Sequence, residues 1–175
     1  MRGFINNDTM CYFNSAVQCL FNVPILTNHF LRDPYTGKCM FTSLYQILLK
    51  QYWTADKTPI NLDGLHFAFQ KEFPRFRSDE QHDVQETVLC IIDILERSQP
   101  IVKEWLYGKK MQETIWPGGK TMNEEDFSIH LLNYKGDPDM SKMIKDSTDW
   151  NVLENFQDNN GTTYNAATTR MLFSK

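Results

Sequence analysis

The chain has 175 residues, 41% hydrophobic, 13% aromatic and 23% charged, with a formal net charge of −4. That length and composition allow one sizeable buried core with a second lobe, and no stretch approaches the roughly 20 apolar residues of a membrane-spanning helix. The acidic balance, with Lys and Arg never clustered beyond pairs, argues against nucleic acid and a membrane surface and allows a basic partner.

The start, "MRGFINNDTM", lacks the apolar segment of about 7 to 15 residues that marks a signal peptide, so a reducing, cytoplasmic compartment is expected. From Cys11, the residues Tyr12, Ala16, Cys19 and Leu20, with Phe13, Val17 and Phe21 alongside, recur at helical spacing up to Pro24. In "MFTSLYQILLKQYW", Phe41, Leu44, Tyr45, Leu48, Leu49 and Tyr52 predict a second helix. A third is expected in "LDGLHFAFQKEF", facing inward through Leu62, Leu65, Phe69 and Phe73, with Gly64 weakening the pattern. In "RSDEQHDVQETVLCIIDILER", Ser78 and Gln81 read as a capping box before a stripe of Val84, Val88, Ile91, Ile92 and Leu95.

Residues 1–100 thus predict a helical lobe. After Pro100 the texture changes: "ETIW" and "FSIHL" read as strands bounded by the turn-rich "PGGK" and "KGDPD". "STDWNVLENF" reads as a short helix and "AATTRMLFS" as another strand. Residues 101–175 therefore predict a mostly β lobe, and so few short strands are expected to be part of a larger sheet. The fold class expected is α+β.

Four cysteines, at 11, 19, 39 and 90, show no Cys-x-x-Cys spacing, so no metal site is expected. On one helix Cys11 and Cys19 would lie about 12 Å apart, beyond disulfide reach. Cys11 has two readings: a small buried apolar residue, or a nucleophile whose thiolate is favoured by the helix N-terminus. Asn6, in a polar loop upstream, either forms a local turn or donates its amide to an oxyanion beside Cys11.

"GFINNDTMCYFNS" resembles the cysteine box of the ubiquitin-specific proteases, Gly-Leu-x-Asn-x-Gly-Asn-Thr-Cys-Tyr-x-Asn-Ser, with Gly3, Asn6, Cys11, Tyr12, Asn14 and Ser15 in register. It continues through Gln18, Leu20 and Pro24. Roughly sixty residues later, Gln81, His82, Asp83, Val84 and Glu86 are similar to the same family's Gln-Gln/His-Asp-Ala/Val-x-Glu box. Weaker likenesses follow in "LYGKKMQETIW", "EDFSIHLLNY" and "STDWNVLENF".

The resemblance implies a papain-like cysteine protease with thumb, palm and fingers that cleaves after the C-terminal glycine of ubiquitin or a ubiquitin-like modifier. It makes Cys11 the nucleophile, Asn6 the oxyanion residue, and Gln81 and Asp83 binders of the substrate's basic tail. A carboxylate at Asp83 suits an arginine partner, although a helix N-terminus also favours an acid there. Residues 1–100 would be the thumb and 101–175 a partial palm and fingers.

Two departures stand out. Asp8, Thr9 and Met10 replace Gly-Asn-Thr, placing a carboxylate near the thiol, where it would oppose thiolate formation. The family's paired zinc cysteines are missing from "ETIWPGGKTMNEED" and "FQDNNGTTYNAATTR", so short, metal-free fingers and no cofactor are expected. A cysteine protease also needs a histidine base with an orienting partner. His29, His66, His82 and His130 each have an ordinary alternative role, so the base is expected from a further segment or chain. The alternatives are an inactive ubiquitin-binding module and a scaffolding protein built on the same fold.

Overall fold

Helix α1, Cys11–Leu20, buries Tyr12, Phe13, Ala16, Val17 and Leu20 on one face. Cys19, expected on that stripe, is exposed, because its position on the helix turns it to the outer side. Pro24 does more than end the pattern. It is the first residue of α2, Pro24–Arg32, a helix with no counterpart in the sequence reading. A proline loses nothing there, since that N–H has no intrahelical acceptor. Helices α3, Met40–Tyr52, and α4, Asp63–Glu72, lie where their apolar periodicity places them.

A 3₁₀ turn, Pro74–Arg77, leads toward α5, Val84–Ser98, and α6 follows at Ile101–Leu106. The expected Ser78 cap lies outside the described residues. The cap of α5 is Asp83, whose Oδ1 accepts from the Glu86 N–H at 2.9 Å. Val84 consequently sits in the first turn and is exposed, while Thr87, Cys90, Ile91, Ile92, Ile94 and Leu95 form the buried face.

The computed structural model describes residues 1–7, 9–77, 80–134, 136 and 139–174, in two units, Met1–Leu106 and Tyr107–Lys175. The core of the first unit is aromatic. Phe13, Phe21, Phe30, Phe41, Tyr45, Tyr52, Phe69 and Phe76 are all fully buried, and Phe21 meets Tyr45 edge-on with centroids 4.9 Å apart. Such edge-to-face pairs add to the burial of the rings themselves. The N-terminal segment is pinned against this core by a parallel bridge between Phe4 and Ile60, with Ile5 N to Ile60 O and Ile60 N to Gly3 O both at 2.9 Å.

The second unit is built on a four-stranded antiparallel sheet of order β2-β1-β6-β3. Strands β1, Gly108–Trp116, and β2, Gly119–Phe127, form a hairpin closed at the Trp116–Gly119 pair, so the "PGGK" turn falls where expected. "FSIHL" is not a strand. Pairing ends at Gly108 opposite Phe127, and beyond it β1 offers no further partner.

"STDWNVLENF" is likewise not a helix. The helix is α7, Met140–Thr148, capped by Asp139, and β3, Asn151–Leu153, pairs with β6, Ala167–Ser174. Asn155, at φ 54°, then turns the chain into the small sheet of β4, Phe156–Gln157, and β5, Thr163–Tyr164. The "KGDPD" turn lies partly outside the described residues. Opposite residues Glu113 and Arg170 form an ion pair of 2.7 Å, with Arg170 over the Trp150 ring.

Candidate functional site

Cys11 is the first residue of α1 and is exposed. A turn with Met10 N bonded to Asn7 O at 3.1 Å delivers the chain into the helix. Met10, the cap position, makes no side-chain cap bond, and the first turn carries no acid. Among the described residues nothing caps its backbone N–H groups, which leaves a helix N-terminus of the kind that favours an anion. Asp8, the carboxylate expected to oppose the thiolate, lies outside the described residues.

An open groove of about 330 Å³ beside the thiol is lined by Phe4, Asn6, Cys11, Asn14, Ser15 and Gln18. The pinning of Gly3 and Ile5 to Ile60 fixes the approach of the Asn6 loop, and Asn7 Nδ2 reaches Asp63 Oδ1 at 3.3 Å. Asn6 Oδ1 accepts from Asn14 Nδ2 at 3.1 Å, and no acceptor among the described residues takes its Nδ2.

Gln81 comes to the same place from 70 residues away: Cys11 Sγ donates to its Oε1 at 3.0 Å. The neighbouring side chain explains how. The ring of His82 packs against Phe76 at 4.7 Å and Tyr12 at 5.0 Å. Because Tyr12 follows Cys11 and His82 follows Gln81, this aromatic contact ties the two segments together. Tyr12 also shares a hydrogen bond of 2.8 Å with His66 Nε2, fastening α1 to α4. Burial, and then the adjacent Cys11, push the Tyr12 phenol up to about 12, so it stays neutral. Burial lowers the His66 imidazole, with His82 acting in the same direction and Asp63 opposing it.

Asp83 does not line the groove. It sits exposed at the start of α5, two residues beyond Gln81, with Oδ1 committed to the cap. Cys11 and Asn6 thus line one groove, Gln81 reaches it through its bond to Cys11, and Asp83 stands near Gln81 in sequence only. Asn14 and the Tyr12–His66 pair carry no role in the sequence reading. Asn14 could have been found from its place three residues after Cys11, which on a helix is the same face.

None of the histidines is hydrogen-bonded to Cys11 among the described residues. His29 binds Gln99 at 2.6 Å and Asp33 at 3.2 Å, and in the second unit His130 packs edge-on against Phe173 at 4.8 Å, with Phe127 beside both rings. The four cysteines are free, and no described helix is long and apolar enough to cross a membrane.

Residues 2–159 match the family model described as "Ubiquitin carboxyl-terminal hydrolase". The chain is similar to ubiquitin carboxyl-terminal hydrolase 15 of Homo sapiens, at 27% identity over 139 residues, covering 74% of this chain and 14% of that protein. It is also similar to ubiquitin carboxyl-terminal hydrolase 32 of Drosophila melanogaster, at 30% identity over 138 residues, covering 73% of this chain and 8% of that protein. Its structure resembles a chain in the SAGA Ubp8/Sgf11/Sus1/Sgf73 DUB module bound to ubiquitin aldehyde, with a TM-score of 0.78 and 16% identity. That match covers 100% of this chain and 45% of the solved one. The likeness fixes the fold as α+β, papain-like.

Proposed function

Since the chain belongs to the ubiquitin carboxyl-terminal hydrolase family, we propose that it is the nucleophile-bearing part of a thiol hydrolase that cleaves after the C-terminal glycine of ubiquitin or a ubiquitin-like modifier. The observation that carries this is the meeting of an exposed Cys11 at an uncapped helix start with Asn6 in one groove and Gln81 at 3.0 Å. In this reading the unit Met1–Leu106 is the thumb and Tyr107–Lys175 part of the palm and fingers. The setting is the reducing cytoplasm, where a free thiol persists.

The chemistry follows from the residues. Cys11 Sγ attacks the carbonyl carbon of the terminal glycine, and the carbonyl electrons move onto its oxygen. Asn6 Nδ2, with the open N–H groups of α1, hydrogen-bonds that oxygen, which stabilises charge that develops only in the transition state. Gln81 and Asp83 line the path of the substrate tail, with the Asp83 carboxylate facing a basic residue. As thiol, Cys11 donates to Gln81 Oε1, so Gln81 must let go or turn its amide when the proton leaves. The base that takes that proton is a histidine supplied by a segment or chain outside these 175 residues.

A ubiquitin derivative with a C-terminal electrophile tests the proposal, with the histidine-bearing segment or chain present. Labelling of the wild type that disappears in Cys11→Ala supports it. Reversible binding without labelling would favour an inactive ubiquitin-binding module, and no binding at all would favour a scaffold.

A further inference from the structure

Taking Asn6 as the oxyanion donor, we infer that Asn14 is a positioning residue that sets which end of the Asn6 amide faces the substrate. This rests on the reading given above. Asn14 Nδ2 donates to Ile5 O and to Asn6 Oδ1, both at 3.1 Å, so one amide group holds two successive residues of the loop. The direction of the Asn14 amide is fixed by chemistry. Turned over, its oxygen would face two other oxygens, and neither Ile5 O nor Asn6 Oδ1 would have a donor.

This orientation persists although it leaves Asn14 Oδ1 enclosed without a partner among the described residues. A buried acceptor without a donor is unfavourable, so the two donated bonds outweigh it. Their consequence lies one residue away. With Asn6 Oδ1 engaged by Asn14, Asn6 Nδ2 is left with no acceptor among the described residues, on a side chain that lines the groove containing Cys11. Asn14 acts through Asn6, by keeping an amide N–H rather than an amide oxygen presented to the developing oxyanion, which an oxygen would repel.

Asn14→Asp and Asn14→Ala separate this from a structural role. An aspartate offers only acceptors, so the Asn6 amide turns to donate Nδ2 to it and withdraws from the groove. Alanine releases the amide. The first readout is the Asn6 side-chain NH₂ signal in a nitrogen-15 correlation spectrum, identified by its loss in Asn6→Asp. It should shift and become protected from solvent exchange in Asn14→Asp, and change without gaining protection in Asn14→Ala.

The second readout is affinity for ubiquitin aldehyde relative to unmodified ubiquitin. Cys11 adds to the aldehyde carbon and the thiol proton passes to the oxygen, giving a hemithioacetal that needs the Asn6 donor and no leaving group. The preference for the aldehyde should fall about tenfold or more in both variants, since single oxyanion donors are worth ~10²–10³ in rate. Equal weakening of both ligands, or an Asn6 signal unchanged in both variants, would overturn the inference. If the wild type binds neither ligand, the hydrolase reading fails, and the Asn6 signal alone still decides the role of Asn14.

Discussion

At the level of single residues, chemistry and core packing are set by a few side chains whose surroundings can be perturbed one at a time. Tyr45 is fully buried, and its hydroxyl has no hydrogen-bond partner among the described residues. Burial pushes its phenol well above the ordinary range. Removing a buried hydroxyl that bonds to nothing relieves a desolvation cost of about 1–3 kcal/mol. Tyr45→Phe should therefore raise stability by about 1 kcal/mol in urea unfolding; a loss of that size would reveal an unseen partner for the hydroxyl.

His66 makes an opposite, pH-dependent contribution. Burial holds its folded-state imidazole below 6.5. Between the folded value and about 6.5 the unfolded chain binds a proton that the folded chain does not, so stability falls as pH drops. The contribution is complete above about 6.5 and is lost as pH falls through the folded value. The urea midpoint should decrease between pH 7.5 and pH 5.5, and His66→Gln should flatten that decrease. An identical pH dependence in wild type and variant would show that His66 does not titrate in this way.

Much of the candidate site is legible in the sequence, because Cys11, Asn6, Gln81 and Asp83 lie in two short boxes. The role of Asn14 was not, since nothing in its identity says that its amide spans Ile5 and Asn6. Nor does a linear pattern show that a hydrogen bond between Tyr12 and His66 joins α1 to α4.

At the level of elements, agreement follows the strength of periodicity. Helix α3 was predictable because its apolar face repeats over 13 residues. Helix α2 is hidden in the sequence because Pro24 signals a stop, though proline is equally at home in a first turn. In the second unit, "STDWNVLENF" has helical spacing, but Asn151–Leu153 gains backbone partners on β6 that a helix would forgo. Non-local pairing of this kind overrides local propensity.

The cap of α5 gives a test at this scale, because Asp83 both bonds the Glu86 N–H and carries the charge proposed to meet the substrate tail. Asp83→Ala should cost about 1 kcal/mol of stability, whereas Asp83→Asn, an equally good cap, should retain most of it. Both should weaken ubiquitin binding if the charge matters. Undiminished binding in Asp83→Asn would remove the carboxylate from the tail-binding role and leave it as a cap.

For the molecule as a whole, the two units differ in how much apolar surface they enclose. The buried hydrophobic residues fall almost entirely in Met1–Leu106, and among the described residues only Ala167 represents the second unit. The sheet of that unit is held mainly by ladder bonds and cross-strand pairs such as Lys110–Glu125 at 2.7 Å. Such pairs at the surface contribute little. Native-state hydrogen exchange should accordingly show β1, β2 and β6 opening at lower free energy than α1, α3 and α5. Uniform protection across both units would contradict this. The change of texture after Pro100 precedes the first strand by several residues, because α6 carries helix on to Leu106.

The central claim is that Cys11 is a nucleophile aimed at the ubiquitin C-terminus. Its most direct test is mass-spectrometric mapping of the adduct formed with a ubiquitin probe bearing a C-terminal electrophile. Cys19 is a built-in control, since it is also exposed and lies on the same helix. With the histidine-bearing segment or chain present, the account predicts a single adduct at Cys11, lost in Cys11→Ala and slowed in Asn6→Ala. An adduct shared between Cys11 and Cys19, or one that survives Cys11→Ala, would contradict it.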